Sequence, residues 1–156
     1  MKVIELSDID NTILPWLGRT AKAMDYFLAD YFDAKGLNLT KAQMIVLRIL
    51  SQNDGIVQNK LAFITNRDKA SLTRLIETME KKELVKRSTS TKDKRVKIVH
   101  ITDSGIALLE NARPYLKEII NKVQENVSEQ DLLTTIKVLK QISKNINADE
   151  LTAPLK

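Results

Sequence analysis

The segment from Gln58 to Gly105 limits the fold of this chain more than any other, because its residues follow helical spacing twice and strand spacing twice. Gln58 to Ile64 predicts a short helix. Asn66 then suits a left-handed turn, which asparagine tolerates better than most residues. Asp68 is placed to cap a second helix running to about Lys82, with Leu72, Leu75, Ile76 and Met79 on its buried face. Val85 to Thr89 and Val96 to Ile101 read as strands. In the second of these, Val96, Ile98 and His100 alternate with Lys97, Val99 and Ile101, so both faces are expected to be partly covered. Ser90-Thr91-Lys92-Asp93-Lys94 between the strands is polar, basic and free of large apolar residues, as an exposed hairpin tip requires.

The same region holds the charge imbalance of the chain. From Lys60 to His100 there are 12 Lys or Arg against 5 Asp or Glu, whereas the remainder carries 13 against 15. A localised positive surface attracts phosphate and gains affinity by releasing counterions, while a merely solvated face is usually mixed in sign. Helix, turn, basic helix and hairpin, in that order, make a winged helix-turn-helix, which offers one helix to the DNA major groove and the hairpin to the flanking backbone. Lys69, Ser71, Thr73 and Arg74 cluster in the first turns of the second helix. Small and polar residues there let the helix end approach bases, and Arg74 is long enough to reach a guanine edge or a phosphate. Lys92, Lys94 and Lys97 are placed to neutralise phosphates.

The rest of the chain predicts long helices, since 156 residues contain only 4 Gly and 3 Pro. A first helix is expected from near Asp10 to Asp33, with Asp8 and Asp10 as capping residues, Pro15 in its first turns and Lys35-Gly36-Leu37-Asn38 ending it. Thr40 and Gln43 form a capping box for a second helix with Ala42, Ile45, Val46, Ile49 and Leu50 on its apolar face, closed by the turn Asn53-Asp54-Gly55. Thr102 or Asp103 starts a long helix to about Val127, with Pro114 as a candidate kink. Ser128 caps the last helix, with Asp131 at the capping-box distance. Asn38-Leu39-Thr40 and Asn126-Val127-Ser128 match a glycosylation pattern but read better as helix boundaries. The apolar stripes of the last two helices need covering, and the N-terminal helix and a second copy of the chain are the natural candidates.

Five short motifs then occur in order: Leu39-Thr40-Lys41-Ala42-Gln43, Leu61-Ala62, Ser71-Leu72-Thr73-Arg74-Leu75-Ile76, Met79-Glu80-Lys81-Lys82 and Asp93-x-Arg95. Ile101-Thr102-Asp103-Ser104-Gly105 closes the second strand. Together they resemble the MarR/SlyA family of dimeric bacterial transcription regulators, from about Leu39 to Gly105 by motif and in the flanking helices by pattern. The resemblance implies that Arg95, positioned by Asp93, enters the minor groove, where the enhanced negative potential favours arginine. It also implies, for many such regulators, a small-molecule effector held between the DNA-binding and dimerisation parts. Trp16, Tyr26, Met44 and Tyr115 are candidates to line such a pocket, although their helical spacing favours ordinary core positions. Two places depart from the family pattern. Glu83 stands where the family usually has Gly, and Asn66-Arg67 replace a Gly and an apolar residue. A left-handed Glu83 would be strained, unless the turn is built differently.

The fold expected is therefore mainly α, a winged helix-turn-helix of about six helices with a two- or three-stranded β-wing. Residues 1–156 are read as one MarR-like domain, with a DNA-binding part at 40–101 and a helical dimerisation part at 1–36 and 103–147. The site expected comprises Lys69, Ser71, Thr73, Arg74, Lys92, Asp93, Lys94, Arg95 and Lys97, and the partners are double-stranded DNA and a second copy of the chain. Enzymatic function finds little support. There is no Cys, no glycine-rich phosphate loop, and a lone His100 in a strand that reads as structural. No cofactor, metal or membrane partner is expected, since no apolar run approaches the ~20 residues of a bilayer span. The N-terminus lacks the pattern of a secretory signal, and a cytoplasmic regulator is the expectation. The rival reading is a winged helix that binds protein instead of DNA. It would place exposed apolar residues on the second helix and the hairpin tip, where this chain has polar and basic ones.

Overall fold

The computed structural model describes residues 6–146, which fall into two compact units divided after Lys41. In the first unit a short 3-10 helix, Leu6–Asn11, precedes helix α1, Ile13–Ala34. Asp8 and Asp10, expected to cap the first helix, lie in the 3-10 turn instead. The residue before α1 is Thr12, whose hydroxyl donates to the Ile9 carbonyl at 2.7 Å rather than capping the helix, and Asp10 lies 3.5 Å from Arg19. Leu28 and Phe32 are the buried residues of α1. Trp16 and Tyr26 are 59% and 62% exposed, which rules out the core role favoured for them from spacing. Arg19 and Lys22 sit over their rings at 5.7 and 5.8 Å.

The second unit contains α2 (Lys41–Gln52, whose first residue ends the first unit), β1 (Ile56–Val57), α3 (Gln58–Ile64), α4 (Lys69–Lys81), β2 (Val85–Thr89), β3 (Lys97–Ile101), α5 (Asp103–Val123) and α6 (Glu129–Asn145). The sheet is antiparallel with order β1-β3-β2. Of the two- or three-stranded alternatives, the three-stranded one is correct. β1 is only two residues long, too short for any alternation to be read, and it is defined by its partner, with Ile56 opposite Val99. Val46, Leu47, Leu50, Leu61, Leu72, Ile76, Met79 and Val99 are fully buried, so the core joins α2, α3, α4 and the middle strand. α5 runs through Pro114 and stops at Val123, four residues before the expected end, and the turn that follows includes Asn126 in a left-handed conformation at φ 62. Ser128 caps α6 by accepting from the Asp131 N–H at 3.1 Å. Its hydroxyl in turn donates to the Asp131 carboxylate at 2.6 Å, a variant of the expected box.

The turns at the ends of α1, α3 and α4 share one construction. In each, a residue with positive φ follows the helix: Gly36 at 65, Asn66 at 49 and Glu83 at 57. Each is closed by two backbone bonds, such as Glu83 N–H to Glu80 O at 2.8 Å and Leu84 N–H to Met79 O at 2.9 Å. Glu83 therefore keeps the left-handed conformation despite its side chain. It is held there from the far side. Thr102 donates its hydroxyl to the Glu83 carbonyl at 2.5 Å and its N–H to the Leu84 carbonyl at 3.2 Å, and it accepts the Gly105 N–H at 3.1 Å as the cap of α5. Gly105 lies so close that a Cβ there would stand 2.2 Å from the Leu84 carbonyl oxygen.

Two stability outcomes follow from this knot. Gly105→Ala should destabilise the fold by about 1–3 kcal/mol, because a backbone atom cannot yield as a flexible side chain does. Glu83→Gly should stabilise it by roughly 1 kcal/mol by removing the left-handed penalty. Urea unfolding of both variants at one fixed protein concentration checks this. Equal midpoints for Glu83→Gly and the parent would show that the turn is unstrained.

Candidate nucleic-acid interface

α4 begins where Asp68 caps it, its carboxylate accepting the Ser71 N–H at 2.8 Å. Leu72, Ile76 and Met79 are buried, and this fixes which side of the helix faces out. Lys69 and Arg74 are exposed, and Ser71 and Thr73 are half-buried. Two hydroxyls expected to read DNA already have partners. Ser71 Oγ accepts from Arg67 Nη1 at 3.2 Å, which leaves its proton free. Thr73 Oγ1 donates to the Lys69 carbonyl at 2.8 Å and accepts from Gln58 Nε2 at 2.9 Å, which leaves it no proton to offer a base.

Lys92, Asp93, Lys94, Arg95 and Lys97 are all exposed on the β2–β3 hairpin. The tip is shaped by main-chain bonds, Ser90 N–H to Val96 O and Val96 N–H to Asp93 O, both at 3.0 Å. Asp93 was expected to hold the Arg95 guanidinium. Instead its carboxylate accepts the Arg95 backbone N–H at 2.9 Å, so it shapes the loop and leaves the guanidinium unpaired among the described residues. An Asp two residues before its partner favours this local turn because the geometry is set within the loop itself. Lys97 Nζ donates to Thr89 Oγ1 at 2.8 Å across the two strands.

Residues 39–97 match the MarR family model. Among curated relatives, the chain is 28% identical to the uncharacterized HTH-type transcriptional regulator YdgJ of Bacillus subtilis. That match covers 70% of this chain and 66% of YdgJ, just under two thirds of it. It is 27% identical to the HTH-type transcriptional repressor YetL of the same organism, over 81% of this chain and 76% of YetL. The fold is similar to that of a mutant MarR from E. coli complexed with operator DNA, with a TM-score of 0.79 and 22% identity over 89% of this chain and 99% of that one. Over residues 39–97 the chain is similar to the MarR family, and it shares the fold of a MarR structure. This family consists of transcriptional regulators rather than enzymes, in line with the reading from sequence. No helix among the described residues is long and apolar enough to cross a membrane.

Two polar links set the hairpin against the other elements, and neither is legible in the sequence. Glu80, in the last turn of α4, accepts from the Arg87 backbone N–H at 3.0 Å and from its guanidinium at 3.0 and 2.6 Å. The bond to Glu80 raises the Arg87 pKa against the opposing effect of burial. Arg87 therefore counts towards the basic window but is committed to the fold. On the sheet, His100 Nδ1 lies 3.0 Å from Asp54 Oδ2, and His100 Nε2 lies 2.9 Å from Ser88 Oγ. Asp54 Oδ1 also accepts the Ile101 N–H at 2.8 Å. The structural reading of His100 fits this geometry, since the ring joins the turn before β1 to β2 across β3. No local motif signals either link, because the partners lie 7 to 47 residues apart.

Burial works to raise the Asp54 pKa, but the bonds from His100, Ile101 and Gly55 and the His100 charge outweigh it, and the net shift is downward. A depressed carboxylate lends stability above its ordinary value and loses it as pH falls through its folded value. Asp54→Asn should therefore be less stable than the parent near neutral pH, and the gap should close as pH falls below about 4. Thermal melts of both proteins along this pH range test the assignment. A gap independent of pH would contradict it.

Proposed function

We propose that this chain is a sequence-specific DNA-binding transcriptional regulator that acts as a homodimer on a pseudo-palindromic operator, and represses by occluding a promoter. The observation that carries this reading is the set of unpaired cations on one basic module. None of the described residues pairs with the side chains of Lys69, Arg74, Lys92, Lys94 or Arg95, although the unit that holds them is rich in acids elsewhere. Charge left exposed and uncompensated on a helix end and a hairpin tip suits phosphate and groove contacts. The E. coli MarR of similar fold is bound to operator DNA, and YetL is named a repressor.

In this reading Lys69, Ser71 and Arg74 act in the major groove, Arg95 enters the minor groove, and Lys92, Lys94 and Lys97 neutralise phosphates. Thr73 and Asp93 act from within the module, one through the helix and one through the loop. Residues 40–101 form the DNA-binding part. Residues 1–36 and 103–147 form the dimerisation part, residues 1–5 and 147 lying outside the described ones. Support for dimerisation comes from uncovered apolar surface. No residue of α6 is buried, and Leu133, Ile136 and Leu139 are exposed on it. Ile120 and Val123 on α5, and Ile13 and Leu14 on α1, are exposed likewise. Apolar surface left exposed on α5 and α6, and separately on α1, suits contact with a second copy, which would place two recognition helices about 10 base pairs apart. A cytoplasmic location and response to a small-molecule effector complete the proposal.

Fluorescence anisotropy with fragments from around the protein's own gene, at several salt concentrations, tests the reading. Saturable binding to one fragment that survives competitor DNA and weakens steeply with salt is expected. Arg95→Ala should weaken that binding roughly tenfold while leaving the thermal midpoint unchanged. Unaltered affinity would remove Arg95 from the interface.

A further inference from the structure

Gln58, the first residue of α3, is half-buried, and its amide is used at one end only. Nε2 donates to Thr73 Oγ1 at 2.9 Å, while Oε1 is shielded from solvent and has no partner among the described residues. A buried amide oxygen left unpaired opposes folding, so this side chain is a poor device for stability alone. What the amide does accomplish is geometric. The Thr73 hydroxyl donates a hydrogen bond to the Lys69 carbonyl at 2.8 Å, so Gln58, Thr73 and Lys69 form one chain of bonds running from α3 into the start of α4. The first two turns of α4 carry Lys69, Ser71 and Arg74, the residues proposed to face DNA. Val57, at the N-cap of α3, has no side-chain acceptor, so no cap bond there locks this junction. The Gln58 amide supplies a direct side-chain bond between α3 and α4.

We infer that Gln58 is a positioning residue for DNA recognition. Through Thr73 it fixes the setting of the first turn of α4, and Thr73 itself is a member of this clamp and not a base-reading group. The inference rests on the DNA-binding reading above and assigns the residue that makes the reading selective. An isolated bond of this kind accounts for a factor of roughly three to ten in an equilibrium. The clamp should therefore show itself as relaxed choice among sequences, at the base pairs facing Lys69, Ser71 and Arg74, and not as a uniform loss of affinity.

The test uses the full-length protein and a library of randomised duplexes. The consensus selected by the parent is compared with those selected by Gln58→Met, Thr73→Val and the double variant, with thermal midpoints measured alongside. Gln58→Met keeps the shape of the side chain and removes both the donor and the orphan oxygen, so its midpoint should be equal to or above that of the parent. Both single variants should relax discrimination roughly three- to tenfold at the same base pairs, and the double variant should be no worse than either. A change confined to Thr73→Val at one base pair would overturn the inference and make Thr73 a direct reader. A parent consensus reproduced unchanged by every variant would overturn it as well, while leaving the DNA-binding reading intact. A parent that selects no consensus would overturn that reading and the inference together.

Discussion

A Cβ on Gly105 would stand 2.2 Å from the Leu84 carbonyl oxygen, and much of the helix-and-hairpin module depends on this tight packing. It sets the end of α4 against the start of α5, with Thr102 between them as donor twice and acceptor once. The recognition helix, the hairpin that follows it and the long helix after the hairpin leave from this one point. Glu83 in a left-handed conformation is the local cost of the arrangement, and the Thr102 bonds hold it in place.

Polar links extend this rigid point to the working surfaces. Glu80 grips both the backbone and the guanidinium of Arg87, which fixes the base of the wing to the end of the recognition helix. His100, in the middle strand, joins Asp54 in the turn before β1 to Ser88 on β2. The cations proposed to contact DNA are those left out of these links. The division of labour among basic residues is thus structural: Arg87 serves the fold, Arg67 orients Ser71, and Lys69, Arg74 and Arg95 remain free. A basic surface built on a stiff frame loses little freedom on meeting a regular polyanion, which favours tight and oriented binding.

Much of this was legible in the residues. α3 and β2 fall where spacing placed them, Asp68 caps α4, and Asn66 turns left-handed, because each depends on interactions within a few residues. Features that depend on distant partners are not legible in the same way. β1 exists because β3 pairs with it, and two residues cannot announce themselves. The Thr73 hydroxyl looked free because Gln58 is 15 residues away. Asp93 and Arg95 were rightly associated, yet the bond formed is to the backbone, which the residue types alone do not distinguish. Trp16 and Tyr26 looked like core from their type, whereas in α1 they are exposed under nearby cations.

The central claim is that the free cations of α4 and the wing form a DNA-binding surface. Backbone amide NMR of the protein titrated with a selected duplex tests it most directly. The account predicts large shifts at 69–74 and 92–97 and small ones at 80–87, where Glu80 and Arg87 are engaged with each other. Shifts centred on the exposed faces of α1 or α6, with the recognition helix and wing unmoved, would contradict it.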